Sequence, residues 1–369
     1  MKRAHKSSAT GTAMRERGVT LVELMVGMLI GLLAVIVITQ VMLISEGQKR
    51  TTTSGSDAQV NGALALYAIQ RDLEMAGYGI TSSPDVIGCP ISVRFGGVAP
   101  AGFVPNLVPV LITRESDRPA GSVGDAVRVL ASSKTTFSVP TRVIPPKFKV
   151  GDLAVPVTAS LGIKKDDLAV AAIDGTQACW VFQVSANPTG ESIPRANHDA
   201  GWNLTGTPNI EYPDGSVLVN LGTLVDTTYQ IVGNSLQQVG FDLAAPNVRP
   251  TREVQPDIVN MRALYGKDTT GDGVVDVYND VTPTTNAGWR QVMAIRIAVV
   301  ARSDQFEKED VTPANLVWDV GTSPPTTGAA ACGASECLTL KVDHLADWKR
   351  YRYKQFETVI PLRNMLWKS

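Results

Sequence analysis

Arg15-Glu-Arg-Gly18-Val19-Thr-Leu-Val-Glu23-Leu-Met-Val-Gly27-Met-Leu-Ile-Gly31-Leu-Leu-Ala-Val-Ile-Val-Ile-Thr-Gln-Val-Met-Leu-Ile44 is the stretch that decides how this chain is built. Val19 to Ile44 is 26 residues long, with Glu23 as its single charge. As a helix it extends about 39 Å at ~1.5 Å per residue, enough to cross a ~30 Å hydrocarbon core. Ahead of it, Lys2, Arg3, Lys6, Arg15 and Arg17 face only Glu16. Positive flanks stay cytoplasmic, so everything after Ile44 is expected to be exported. A carboxylate at the bilayer centre costs about 2.5–3.5 kcal/mol and marks function by default. Glu23 sits on the first turn, near the interface, where it stays hydrated at modest cost. A secretory signal is cut after its apolar stretch at small residues, and Gln40 to Gly47 offers no such site. An uncleaved signal anchor is the plain alternative.

Past the membrane the helix continues. No proline occurs before Pro84. Val60, Ala63, Leu64, Tyr67, Ala68 and Arg71 fall at the three- and four-residue steps of one face, which is therefore expected to pack. Thr51 to Ser56 is a poor helix stretch, expected to fray or bend, and Gly77 and Gly79 supply a stop. The remainder is rich in glycine and proline, with short apolar runs between turn signals. Ala126–Leu130, Phe137–Val139, Leu153–Val157, Cys179–Val184, Ser216–Val219 and Val292–Ala301 are strand candidates, the last with alternating sides. The expected fold is α+β: a leader over 1–18, a helix over 19–79 with its membrane segment at 19–44, and a large β-rich exported part over 80–369.

Four blocks of this sequence resemble one family. Gly18-Val19-Thr20-Leu21-Val22-Glu23-Leu24 resembles the class III signal of type IV pilins and type II secretion pseudopilins. That resemblance implies cleavage by a prepilin peptidase between Gly18 and Val19, N-methylation of Val19, and Glu23 as fifth residue of the mature chain. The first mature residue is usually Phe or Met in those families, and here it is Val. In them the glutamate is taken to pair with the N-terminus of a neighbouring subunit. Arg71-Asp72-Leu73-Glu74-Met75-Ala76-Gly77-Tyr78, Trp289 to Ser303, and Phe356-Glu357-Thr358-Val359-Ile360-Pro361-Leu362-Arg363-Asn364 resemble segments of PilW-type minor pilins. The resemblance implies a pilin-like fold and co-assembly with other minor pilins and the major pilin. It further implies priming of the fibre, at its tip, in support of twitching motility and adhesion through a tip adhesin. Two other readings stay open: a J-type pseudopilin of type II secretion, and an adhesin that borrows the pilin anchor. Gly27 and Gly31 form a Gly-x-x-x-Gly pair suited to close helix approach.

Four cysteines, Cys89, Cys179, Cys332 and Cys337, fit an oxidising compartment and allow three pairings. Cys332 and Cys337 flank a four-residue loop, which favours a local bridge there and Cys89 with Cys179 as the other. Asp268, Asp272 and Asp276 stand at steps 1, 5 and 9 of a glycine-bearing loop, the spacing of a calcium loop, although Asn279 replaces the usual closing glutamate. Thr270 at step 3 also departs from that pattern, and a plain acidic turn is the other reading of the same residues. No Gly-x-Ser-x-Gly, His-Glu-x-x-His or phosphate-cradling glycine loop occurs, so no enzyme is expected. The net charge of −1 gives no reason to expect nucleic acid as a partner.

Overall fold

The structure, a computed structural model, describes residues 18–134, 139–149, 151–173, 178–195, 201–203, 211–322 and 326–366. The leader before Gly18 and the Phe137 strand candidate lie outside these. The chain divides into two compact units, Met1–Thr53 and Ser54–Ser369. One helix, Leu21–Glu74, runs for 54 residues. It passes unbroken through Thr51 to Ser56, where fraying was expected. Extending an existing helix fixes one residue per hydrogen bond gained, so a few poor formers do not stop it once nucleated.

In the first unit every residue from Gly18 to Glu46 is exposed. Leu21–Glu46 is long and apolar enough to cross a membrane.

In the second unit the helix buries Ala58, Gly62, Ala65, Leu66, Ile69 and Leu73, and Ala76 just past its end is buried too. This corrects the expected face. Val60, Leu64 and Tyr67 point outward, 53%, 49% and 66% exposed. Both faces are apolar, so periodicity alone did not choose between them. Alanine and glycine on the inner face let the helix approach its sheets closely, and a methyl group built on Gly62 would overlap the Phe356 ring. Gly62→Val is accordingly expected to lower stability by about 1–3 kcal/mol in urea unfolding, the usual range for overpacking. Adding Phe356→Ala should recover part of the loss. Equal losses with and without Phe356 would rule out this contact.

Two antiparallel sheets share a core with the buried helix face. One has the order Thr251–Pro256, Ser235–Val239, Val225–Val232, Val123–Ala131, Val110–Thr113. The other runs Val277–Asn279, Ile258–Lys267, Val292–Arg302, Tyr353–Pro361. Val292–Arg302 is covered on both sides. Ile295, Ile297 and Val299 enter the helix core, while Ala298 and Val300 enter a second core with Trp318 and Leu340. Apart from Arg296, its residues from Val292 to Ala301 are therefore apolar and buried on both faces. The second core lies under a three-stranded sheet, Leu316–Gly321, Ser335–Leu340, Ala329–Cys332. A further five-stranded sheet, Ile91–Ser92, Cys179–Gln183, Leu168–Ala172, Val217–Gly222, Thr141–Arg142, holds cores of its own. Leu168–Ala172 is buried at every residue. Ala154–Pro156 pairs with Ser192–Pro194.

Polar groups join the two helix-packed sheets. The buried Asp125 carboxylate accepts from the Ala263 and Glu115 amides, both at 3.0 Å, with Arg262 at 3.2 Å. The Tyr265 hydroxyl accepts from the Ile112 amide at 2.7 Å. Burial pushes the Tyr265 phenol up to about 12. The folded state thus holds this proton after the unfolded chain, with an ordinary phenol near 10, has lost it. Stability present below pH 10 is expected to drain as pH rises toward 12. Tyr265→Phe should flatten that alkaline slope in urea titrations while costing about 1 kcal/mol at neutral pH. An unchanged slope would contradict the assignment.

Candidate functional site

At the start of the long helix, the Glu23 amide donates to Thr20 Oγ1 at 3.2 Å and the Leu24 amide to the Thr20 carbonyl at 3.1 Å. Thr20-x-x-Glu23 is the spacing of a capping box, in which threonine satisfies a free donor of the first turn. Thr20 thus has a role that its place in the signal motif did not reveal. The Glu23 carboxylate lies in the positive first turn of the helix. It makes no hydrogen bond or ion pair to another described residue. Gly18 and Val19 precede the helix and are exposed. Methyl groups built on Gly27 or Gly31 would meet nothing within 4 Å, so this face is open to a neighbour.

The helix end in the second unit is clamped. Tyr229 donates its hydroxyl to Asp72 Oδ2 at 2.8 Å, and Gln238 Nε2 donates to the same oxygen at 3.4 Å. Burial, and then the Asp72 charge, push the Tyr229 phenol well above its ordinary value. Arg363 pairs with Glu74 at 3.0 Å. Asn364 Nδ2 donates to the Ala76 carbonyl at 3.0 Å, and Thr81 Oγ1 donates to the Asn364 carbonyl at 2.9 Å. Gly77, with φ +76°, turns the chain out of the helix, and its amide reaches the Leu130 carbonyl at 2.7 Å. A side chain there would be strained and would strike Thr81.

The strand Val292–Arg302 supplies the remaining ties. Arg296 reaches the Asp319 carbonyl at 2.8 Å and Glu357 at 3.2 Å, and Arg302 pairs with Asp257 at 2.6 Å. Ser303, fully buried, accepts from the Arg352 amide at 3.1 Å. Three blocks far apart in sequence therefore meet in one structure: the helix end, the central strand, and the C-terminal Phe-Glu-Thr to Leu-Arg-Asn segment. Sequence reading recognised each block and gave no sign that they touch.

The outward stripe of Val60, Leu64 and Tyr67 continues to Met75. There it opens into a groove of about 540 Å³ lined by Asp72, Met75, Tyr78, Val129, Ala131 and Val225. The groove is mostly apolar, suited to burying a partner's side chains rather than to acid–base chemistry. A second cavity, of about 500 Å³, is lined by Arg114, Arg118, Arg262, Asp280 and Lys341. Most of its cations are already engaged: Arg114 by Asp117 at 2.9 Å, Arg262 by Asp125, and Arg118 by the Val123 and Gly124 carbonyls.

The structure pairs Cys89 with Cys179 and Cys332 with Cys337. The Asp268, Asp272 and Asp276 carboxylates are each hydrogen-bonded within their own loop. Asp268 accepts from the Gly271 and Gly273 amides, Asp272 from the Val274 amide, and Asp276 from the Thr269 and Thr270 amides. These bonds, with the Thr269 hydroxyl on Asp276, hold Asp268 and Asp276 below the usual carboxylate range. The carboxylates close the turn from within. Among the described residues no group of three His, Cys, Asp or Glu side chains stands together as a metal site.

Residues 224–364 match the family model PilW, Type IV Pilus-assembly protein W. That stretch contains the central strand, its C-terminal neighbour and the Tyr229 partner of Asp72. No curated protein and no solved structure matches the chain. Over residues 224–364 the chain is thus similar to PilW-type pilus-assembly proteins, with an apolar N-terminal helix ahead of the matched region.

Proposed function

We propose that the chain is a minor pilin that co-assembles with other minor pilins to prime a type IV pilus. The observation that carries this reading is Glu23: a carboxylate without a described partner, on the first turn of an exposed apolar helix. A prepilin peptidase would cut the exposed Gly18–Val19 bond and leave an ammonium on Val19, subsequently methylated. Brought into a bundle of like helices, that ammonium and the Glu23 of a neighbour neutralise each other. Either one alone, once buried, typically costs 3–5 kcal/mol. Before assembly the chain sits in the inner membrane with its β-rich part in the periplasm, and afterwards in the fibre.

The open Gly27–Gly31 face and the outward stripe from Val60 to Met75 support a pilin-like role for the whole helix, as the surface that neighbours cover. The clamp at Asp72, Glu74 and Ala76 makes the β-rich part follow the helix into place. The mechanism is structural, with no reaction catalysed. The bulk of the exported part supports a tip position, serving twitching and adhesion. Deleting the gene should abolish surface pili and twitching. Normal pili with lost exoenzyme secretion would instead favour the J-type pseudopilin, and normal pili with lost attachment a pilin-anchored adhesin.

A further inference from the structure

The C-terminal strand Tyr353–Pro361 ends its four-stranded sheet, and its outer edge carries no strand among the described residues. All nine residues pair with the central strand at constant register, from Pro361 opposite Ala294 to Tyr353 opposite Arg302, with no bulge. The parity of this ladder is fixed at both ends. The Ser303 amide donates to the Arg352 carbonyl and the Leu362 amide to the Met293 carbonyl, each at 2.8 Å. In an antiparallel ladder, bonded residues alternate with unbonded ones. Lys354, Phe356, Thr358 and Ile360 therefore turn their main-chain groups inward. Tyr353, Gln355, Glu357 and Val359 turn theirs out, a row of amides and carbonyls with no strand opposite among the described residues. Pro361, which has no amide hydrogen, falls in the outward set, the position proline tolerates on an edge.

Natural sheets guard such edges with short strands, bulges or outward charges. The other edges of the two helix-packed sheets follow that practice. Val277–Asn279 has three residues and Val110–Thr113 four. Thr251–Pro256 is paired through a bulge and bears Arg252 and Glu253. The C-terminal strand is the exception in being both long and regular, nine residues paired without a bulge. The Glu357 carboxylate takes the Trp318 indole N–H and Arg296. Lys354 lies over the Phe356 ring, 5.7 Å from its centre. Val359 stays 47% exposed.

We propose that this edge receives an extended segment of a different polypeptide as an added strand, free of proline where it pairs and bearing an acidic residue beside Lys354. Main-chain bonds to the four outward residues give affinity, and alternate side chains give specificity. The charge pattern selects the occupant. Arg350, Arg352 and Arg363 already hold Asp310, Glu307 and Glu74. Lys349 and Lys354 have no ion pair among the described residues. Both call for carboxylates; a second copy of this strand brings a lysine and one glutamate, Glu357, already held by Trp318 and Arg296. That the donor is another pilus subunit rests on the proposed function; the open edge does not.

The test uses the full-length chain in its own cells, with a photo-activatable residue at Val359. Illumination is expected to give a cross-link to one acidic segment of a second polypeptide. Gln355→Pro removes an outward donor while sparing the inward ladder, and should cut the adduct at least tenfold. Lys354→Glu, which leaves the backbone untouched, should also cut it several-fold, and it decides the matter if the proline variant fails to fold. No adduct, an adduct between two copies, or an adduct indifferent to Lys354→Glu would overturn the proposal. Recovery of the chain in sheared pili is scored separately from the same cells. Its absence counts against the proposed function, and not against the added strand.

Discussion

Glu23→Ala is expected to remove the chain from sheared pili by at least tenfold while leaving its amount in the membrane unchanged. The substitution keeps the Glu23 amide, so the bond to Thr20 that starts the helix survives. What disappears is the only charge between Val19 and Ile44. In the membrane that loss is harmless, since an apolar residue is cheaper there than a carboxylate. In the bundle it strands the new ammonium of a neighbouring subunit, at the 3–5 kcal/mol typical of a broken buried pair. Thr20→Ala provides the contrast: it removes the cap, worth about 1 kcal/mol, and leaves the charge. Immunoblots of membrane and sheared fractions measure both. Normal incorporation of Glu23→Ala would mean that the carboxylate has no part in assembly.

Removing the Cys89–Cys179 bridge is the second large effect. It joins positions 90 residues apart, and the loop-entropy relation assigns such a closure about 4.5 kcal/mol. Cys332–Cys337 spans 5 residues, for which the same relation gives about 2 kcal/mol. Cys89→Ser with Cys179→Ser should therefore shift the urea midpoint about twice as far as the Cys332 and Cys337 pair of substitutions. The long bridge also lies at the edge of the five-stranded sheet, where Ile91 pairs with Cys179 and where both cysteines are fully buried. Its loss should loosen that sheet first and leave the helix clamp in place. Equal midpoints for the two double variants would contradict the ranking.

The long apolar helix and the strand runs at Ala126, Cys179 and Val292 were legible because their signals are local: length, hydropathy and turn residues. The helix face was not. Val60, Leu64 and Tyr67 are apolar too, yet the sheets take the face of Ala58, Gly62, Ala65, Ile69 and Leu73, and both faces carry apolar residues at helical spacing. Nor could spacing show that the Asp268 loop spends its carboxylates on its own amides, since the same aspartates serve a turn or an ion. The meeting of Asp72 with Tyr229 and of Glu74 with Arg363 depends on pairings across 157 and more positions, which no local pattern records. Likewise, the outward parity of Gln355, Glu357 and Val359 follows only once Ser303 and Leu362 fix the ladder.

Everything proposed for assembly depends on a new amine at Val19. Mass spectrometry of the N-terminal peptide of this chain, recovered from sheared pili, tests that most directly. The account predicts a peptide beginning at Val19 and carrying one added methyl group on its amine. A chain in the same fraction that still begins at Met1 would contradict it.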